Sequence, residues 1–179
     1  MKETGKEDMI QYRDKTRRLT LSAILVTLAM IFSYIESLVP ISIGIPGIKL
    51  GFANLVIVIA LYCLDARYAF AINIVRIILN GLMFTGVFAM TYALAGGLLS
   101  LLTMCLLKKT GRFSMIGVSM AGGVAHNLGQ LIIASLMVEN IKMFLYFPVL
   151  LFSGLITGIL IGTAASVLYS SIPDRLFRN

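Results

Sequence analysis

Polar and apolar positions fall in long blocks along this chain, not with the short alternation of a half-buried strand. Residues 1–18 are strongly polar, and six apolar runs follow at about 19–39, 50–64, 66–84, 86–107, 114–138 and 147–172. All but the second reach the roughly 17–25 residues of a spanning helix. The second follows the Pro46-Gly47 turn and spans only if the apolar stretch before it dips into lipid or protein. The pattern predicts an all-α, polytopic membrane protein with six transmembrane helices over 18–172. Short cytoplasmic tails, 1–17 and 173–179, flank it, and the first is expected to be either an interfacial helix or disordered.

Composition strengthens this reading. The chain is 59% hydrophobic and only 13% charged, with a mean hydropathy of +0.95. Soluble domains are closer to a quarter charged, and a core of 179 residues could not hide this much apolar surface from water. The polar N-terminus and the long run behind it do not resemble a cleaved signal peptide.

The net charge of +7 matters through its distribution. Lys2, Lys6, Arg13, Lys15, Arg17, Arg18, Arg67, Lys108, Lys109, Arg112, Arg175 and Arg178 fall on one side of the predicted topology; only Lys49 and Lys142 fall on the other. The bias places both termini in the cytoplasm. Basic residues at segment ends, not in one stripe, argue against a nucleic-acid partner.

With that orientation each intramembrane polar residue acquires a depth. Ser33, Glu36 and Ser37 fall in the outer third of helix 1, and Lys49 and Asn54 near the outer end of helix 2. Asn73 and Arg76 fall near the middle of helix 3 and Asn80 above them. His126 and Asn127 fall at mid-depth in helix 5, and Gln130 above them. At about 100° per residue, Asn73, Arg76 and Asn80 share a sector of about 60°. Gly123, His126 and Gln130 do likewise on helix 5. Polar faces turned to lipid are costly, so these are expected to face inward and form an outward-opening pocket. The competing reading is structural: a Glu36–Arg76 ion pair, with His126, Asn127 and Gln130 as bonds between helices. The stretch 40–51, PISIGIPGIKLG, is either a lid with Lys49 pointing in or a packed turn.

Glycines at 154, 158 and 162 in helix 6, with Gly96-Gly97 and Gly122-Gly123, suit close helix packing. Cys63 and Cys105 lack metal-ligand spacing and read as small buried residues. Four aspartates, none in a D-D-x-x-D motif, offer no cluster for magnesium diphosphate. No phosphate-binding G-x-x-x-x-G-K-[ST] loop occurs. One histidine without a neighbouring nucleophile is no hydrolytic site. These absences favour binding or transport over catalysis, with no metal expected and no cofactor identifiable.

SYIESLVP (33–40), PGIKLGFAN (46–54) and HNLGQL (126–131), in that order on six short helices, resemble the Gx transporter family, also labelled heptaprenyl diphosphate synthase component I. That family is similar to the substrate-binding S subunits of energy-coupling factor transporters. The resemblance implies a bacterial cell-membrane protein with an S-component-like bundle. It implies substrate capture near the outer face by Glu36, Lys49, Asn54, His126, Asn127 and Gln130, and partnership with a coupling transmembrane subunit and ATPases. Arg76 and Asn80 join that set on depth alone. The usual alanine-x-x-x-alanine docking face is represented here by Ala23–Thr27, with Ala29 out of register. Lys49, Arg76 and a protonated His126 against Glu36 favour an anionic or amphipathic small-molecule ligand. The rival expectation is a non-transporting accessory subunit for isoprenoid, quinone or flavin-linked electron-transfer metabolism.

Overall fold

A computed structural model describes residues 2–38 and 51–172, so Lys49 and the stretch 39–50 lie outside the described residues. The described chain contains six α-helices: α1 (Lys2–Leu38), α2 (Phe52–Cys63), α3 (Ala66–Asn80), α4 (Gly86–Thr110), α5 (Met115–Met137) and α6 (Phe147–Ser171). A π-helical turn, Gly81–Thr85, joins α3 to α4, and a 3₁₀ turn, Ile141–Tyr146, leads into α6. Four runs are long and apolar enough to cross a membrane: Gln11–Glu36, Ala66–Thr110, Met115–Met137 and Ile141–Ser171.

The helix ends follow local chemistry. The Asp65 carboxylate accepts from Ala66 N at 2.6 Å, and the Ser114 hydroxyl accepts from Gly117 N at 3.2 Å, opening α3 and α5. Gly111, at φ 66°, closes α4. The 45-residue apolar run Ala66–Thr110 is not one rod. Gly81 lies against Met90, and Gly97 against Asn73 and Ile77, so α3 and α4 run antiparallel. The chain reverses at Gly86, whose φ of 83° few side chains tolerate.

α1 runs unbroken from Lys2, through the polar tail, to Leu38. Its 37 residues extend about 55 Å, roughly 25 Å more than a ~30 Å hydrocarbon core needs. Ser22, Leu25, Ala29 and Ser33 form its buried stripe, at helical spacing. Ile24, Leu28, Ile31 and Ile35 face outward, where lipid suits them, and Ala23 and Thr27 are exposed beside them.

α2 sits at the centre. Val56, Val58, Ala60 and Leu61 are each at most 1% exposed, which explains why this segment is apolar on every face. Its 12 residues reach only about 18 Å, well short of the ~30 Å of a hydrocarbon core. Both ends are met by charges from other helices. The Glu36 carboxylate of α1 accepts from Gly51 N at 2.5 Å and Phe52 N at 3.1 Å. The Lys108 ammonium of α4 donates to Leu61 O at 2.5 Å and lies 4.7 Å from the Tyr62 ring centroid. An anion at the N-terminus and a cation at the C-terminus match the helix dipole.

α4, α5 and α6 form the tightest unit. A Cβ on Gly158 would lie 2.5 Å from Met120 Cα, and one on Gly129 would lie 2.7 Å from Ala95 O. These backbones approach more closely than any residue but glycine permits.

Candidate functional site

Two polar systems occupy the bundle interior. The first is built around Arg76, 8% exposed on α3. Its Nε and Nη2 donate to Asn73 Oδ1 at 3.1 and 2.9 Å, and Nη2 also donates to Asn54 Oδ1 at 3.0 Å. Asn73, 1% exposed, donates in turn from Nδ2 to Gly97 O at 3.0 Å. The chain of bonds ties α2 through α3 to α4. It solvates a guanidinium that would be expensive to bury unbonded. Glu36 supplies opposite charge at longer range, but its hydrogen bonds go to the α2 N-terminus and not to Arg76.

The second is a cavity between α2, α4, α5 and α6, walled by Asn54, Val58, Ser100, Met104, Ser119, His126, Asn127, Gln130, Thr157 and Ile161, with glycines of α5 and α6. Asn54 therefore belongs to both systems. The cavity encloses about 40 Å³, room for roughly three waters at ~10–15 Å³ each. The walls are held by their own bonds. Asn127 Nδ2 donates to Leu150 O at 2.7 Å, pinning α5 to α6. Gln130 Nε2 lies 3.1 Å from His126 Nε2. The amide and the imidazole, one turn apart on α5, thereby hold each other in place.

Of the residues singled out in the sequence, Asn54, His126, Asn127 and Gln130 thus meet at one cavity. Arg76 is joined to it through Asn54 but is not among its walls. Glu36 caps α2 next to Gly51, itself at the cavity's edge. Asn80 stands apart, where α3 passes into the π-helical turn, with Oδ1 enclosed and no hydrogen-bond partner. The helical-wheel sector that groups Asn80 with Arg76 ignores the π-helical turn that begins one residue later. Lys49 and the suggested lid lie outside the described residues.

Sequence reasoning passed over Ser100 and Ser119, each 4% exposed, and Thr157. They carry the cavity past His126 toward the end of α5 nearer Met115. A serine in an apolar helix reads as a packing residue, and only the angular agreement of Ser119 with Gly122, Gly123 and His126 on α5 hinted otherwise.

No curated protein and no solved structure matches the chain. The family described as heptaprenyl diphosphate synthase component I matches over residues 25–168, from the buried stripe of α1 to near the end of α6, so the chain belongs to that family.

Proposed function

We propose that this protein is an integral membrane subunit that binds a small molecule inside its helical bundle and helps move it across the bacterial cell membrane. The observation that carries the reading is the polar cavity within a bundle whose outer faces are apolar. Helix glue alone gives no reason to leave buried hydroxyls facing an open space. Six crossings with both termini in the cytoplasm fit the α3–α4 hairpin and the placement of lysines and arginines; the transmembrane unit is then 18–172. A cavity of about 40 Å³ is far below the ~300 Å³ of a drug-sized site. Capture of a whole metabolite therefore requires α2 and α4–α6 to part. Such motion in one direction needs an energy source, so the reading includes a coupling transmembrane subunit with ATPases. The reading is not of an enzyme: Gln130 Nε2 lies 3.1 Å from His126 Nε2, and no cysteine, aspartate or glutamate lines the cavity among the described residues.

The decisive experiment is mass spectrometry of small molecules released from the purified protein, alongside the proteins that co-purify with it. A defined metabolite, lost in His126→Leu/Gln130→Leu, together with ATPases, supports the reading. A second reading is favoured by the name of the family, one component of a heptaprenyl diphosphate synthase. In that case the chain is an accessory membrane subunit for isoprenoid metabolism. It would bring down a soluble prenyl-transferring partner and no ATPase.

A further inference from the structure

We infer that the cavity takes an uncharged hydrogen-bonding group, such as a carboxamide, imide or alcohol, recognised by the hydroxyls of Ser100 and Ser119. The inference rests on the binding role proposed above and assigns its ligand class.

Three observations lead there. Most helix hydroxyls in this protein bond to their own backbone: Ser22 to Arg18 O at 2.8 Å, Thr103 to Leu99 O at 2.8 Å and Thr157 to Ser153 O at 2.9 Å. Ser100 and Ser119 make no hydrogen bond among the described residues, although each is only 4% exposed and lines the cavity. A buried hydroxyl that declines an available carbonyl has its donor free for something in the cavity.

The remaining wall atoms are mixed in character. Asn127 spends one amide hydrogen on Leu150 O and Gln130 Nε2 is engaged with His126 Nε2, so each amide keeps a further N–H and its carbonyl oxygen. Asn54 accepts from Arg76 through Oδ1, leaving its Nδ2 as a donor. An occupant that both donates and accepts satisfies such a wall; a carboxylate, which only accepts, leaves the two amide oxygens without a donor.

Finally, no lysine, arginine, aspartate or glutamate lines the cavity among the described residues. Arg76 and Glu36 are committed to Asn73, Asn54 and the α2 N-terminus. A bare cation or anion there would lack a counter-charge in a low-dielectric interior.

The test uses three probes of nearly one shape and three charges: formamide, formate and formamidinium. Each has three heavy atoms, a size suited to the cavity. Saturation-transfer NMR on the full chain in lipid nanodiscs, against empty nanodiscs, reads binding through each probe's carbon-bound proton. Formamide is expected to bind, with formate and formamidinium at the empty-disc level. Ser100→Ala/Ser119→Ala is expected to weaken formamide by about thirtyfold, the loss of two uncharged hydrogen bonds. Gly122→Ala, whose added Cβ would lie 2.7 Å from Met104 Cγ and 3.2 Å from Ser100 Oγ, fills the space while keeping both hydroxyls. It should abolish the signal. Preference for formate or formamidinium overturns the uncharged class while leaving the binding role standing. Formamide binding unchanged in the double variant overturns the role of the two serines. No binding by any probe overturns both the inference and the binding role.

Discussion

Replacing Glu36 separates its duty to the fold from any duty to a ligand. Its Oε1 receives both Gly51 N–H and Phe52 N–H, at 2.5 and 3.1 Å, at the start of the 12-residue helix α2. Glu36→Ala leaves the two backbone donors at the start of α2 without this acceptor. A hydrogen bond to a charged group contributes about 1.5–3 kcal/mol, and the favourable end charge about 0.3–1 kcal/mol more. The alanine variant should therefore lose about 4 kcal/mol. Glu36→Gln keeps an acceptor oxygen and loses only the charge, for about 1.5 kcal/mol. At ~2–4 °C per kcal/mol for a chain of this size, these correspond to about 8–16 °C and 3–6 °C. Cys63 provides the assay, since it sits on α2 itself, free and 7% exposed. A thiol-reactive fluorophore reports its exposure as purified protein is heated in detergent. An alanine variant melting within 1 °C of the parent, or a glutamine variant as damaged as the alanine one, would refute the capping argument.

Other substitutions probe the remaining joints. Lys108→Met removes the cation at the far end of α2 and should lower the same melting midpoint by about 2–4 °C, since the lysine is half-buried and its dipole contribution is about 1 kcal/mol. Arg76→Lys keeps the charge but cannot bridge Asn73 and Asn54 in the same fork; a loss of about 2 kcal/mol is expected by thermal melting. Combining Asn73→Ala with Arg76→Met should cost less than the two single changes added, because they dismantle one network. Gly158→Ala places a Cβ 2.5 Å from Met120 Cα, a backbone atom that cannot yield, whereas Gly122→Ala meets only the movable Met104 side chain and Ser100 hydroxyl. On size-exclusion chromatography Gly158→Ala should aggregate or fail to assemble, and Gly122→Ala should remain monodisperse.

Much of this architecture was legible in the residues, and the gaps have physical causes. Asp65, Gly111 and Ser114 mark the ends of α3, α4 and α5 because capping chemistry is local. The α3–α4 reversal was legible from the break near Gly86, but the π-helical turn before it was not, since the wider coil has no simple pattern. Glu36 was marked as an intramembrane carboxylate, yet its role depends on Gly51, fifteen residues away and across a turn. Depth and helical angle grouped His126 and Gln130, with Asn127 at the edge of their sector, whereas Asn54 was marked only by its depth and its motif. The serines did not, because both faces of a lipid-exposed helix are apolar and periodicity loses its power to identify the inner one. A small hydroxyl on such a helix bonds its own carbonyl often enough that its sequence alone does not reveal exceptions such as Ser100 and Ser119.

The central claim is that a ligand occupies the space between α2, α4, α5 and α6. An electron cryo-microscopy map of the full chain, purified from its native membrane with a rigid antibody fragment attached, tests it most directly. The account predicts non-protein density touching Asn54, Gln130 and the hydroxyls of Ser100 and Ser119. It is contradicted by a closed bundle in which those two hydroxyls turn back onto the carbonyls of their own helices and nothing lies between them.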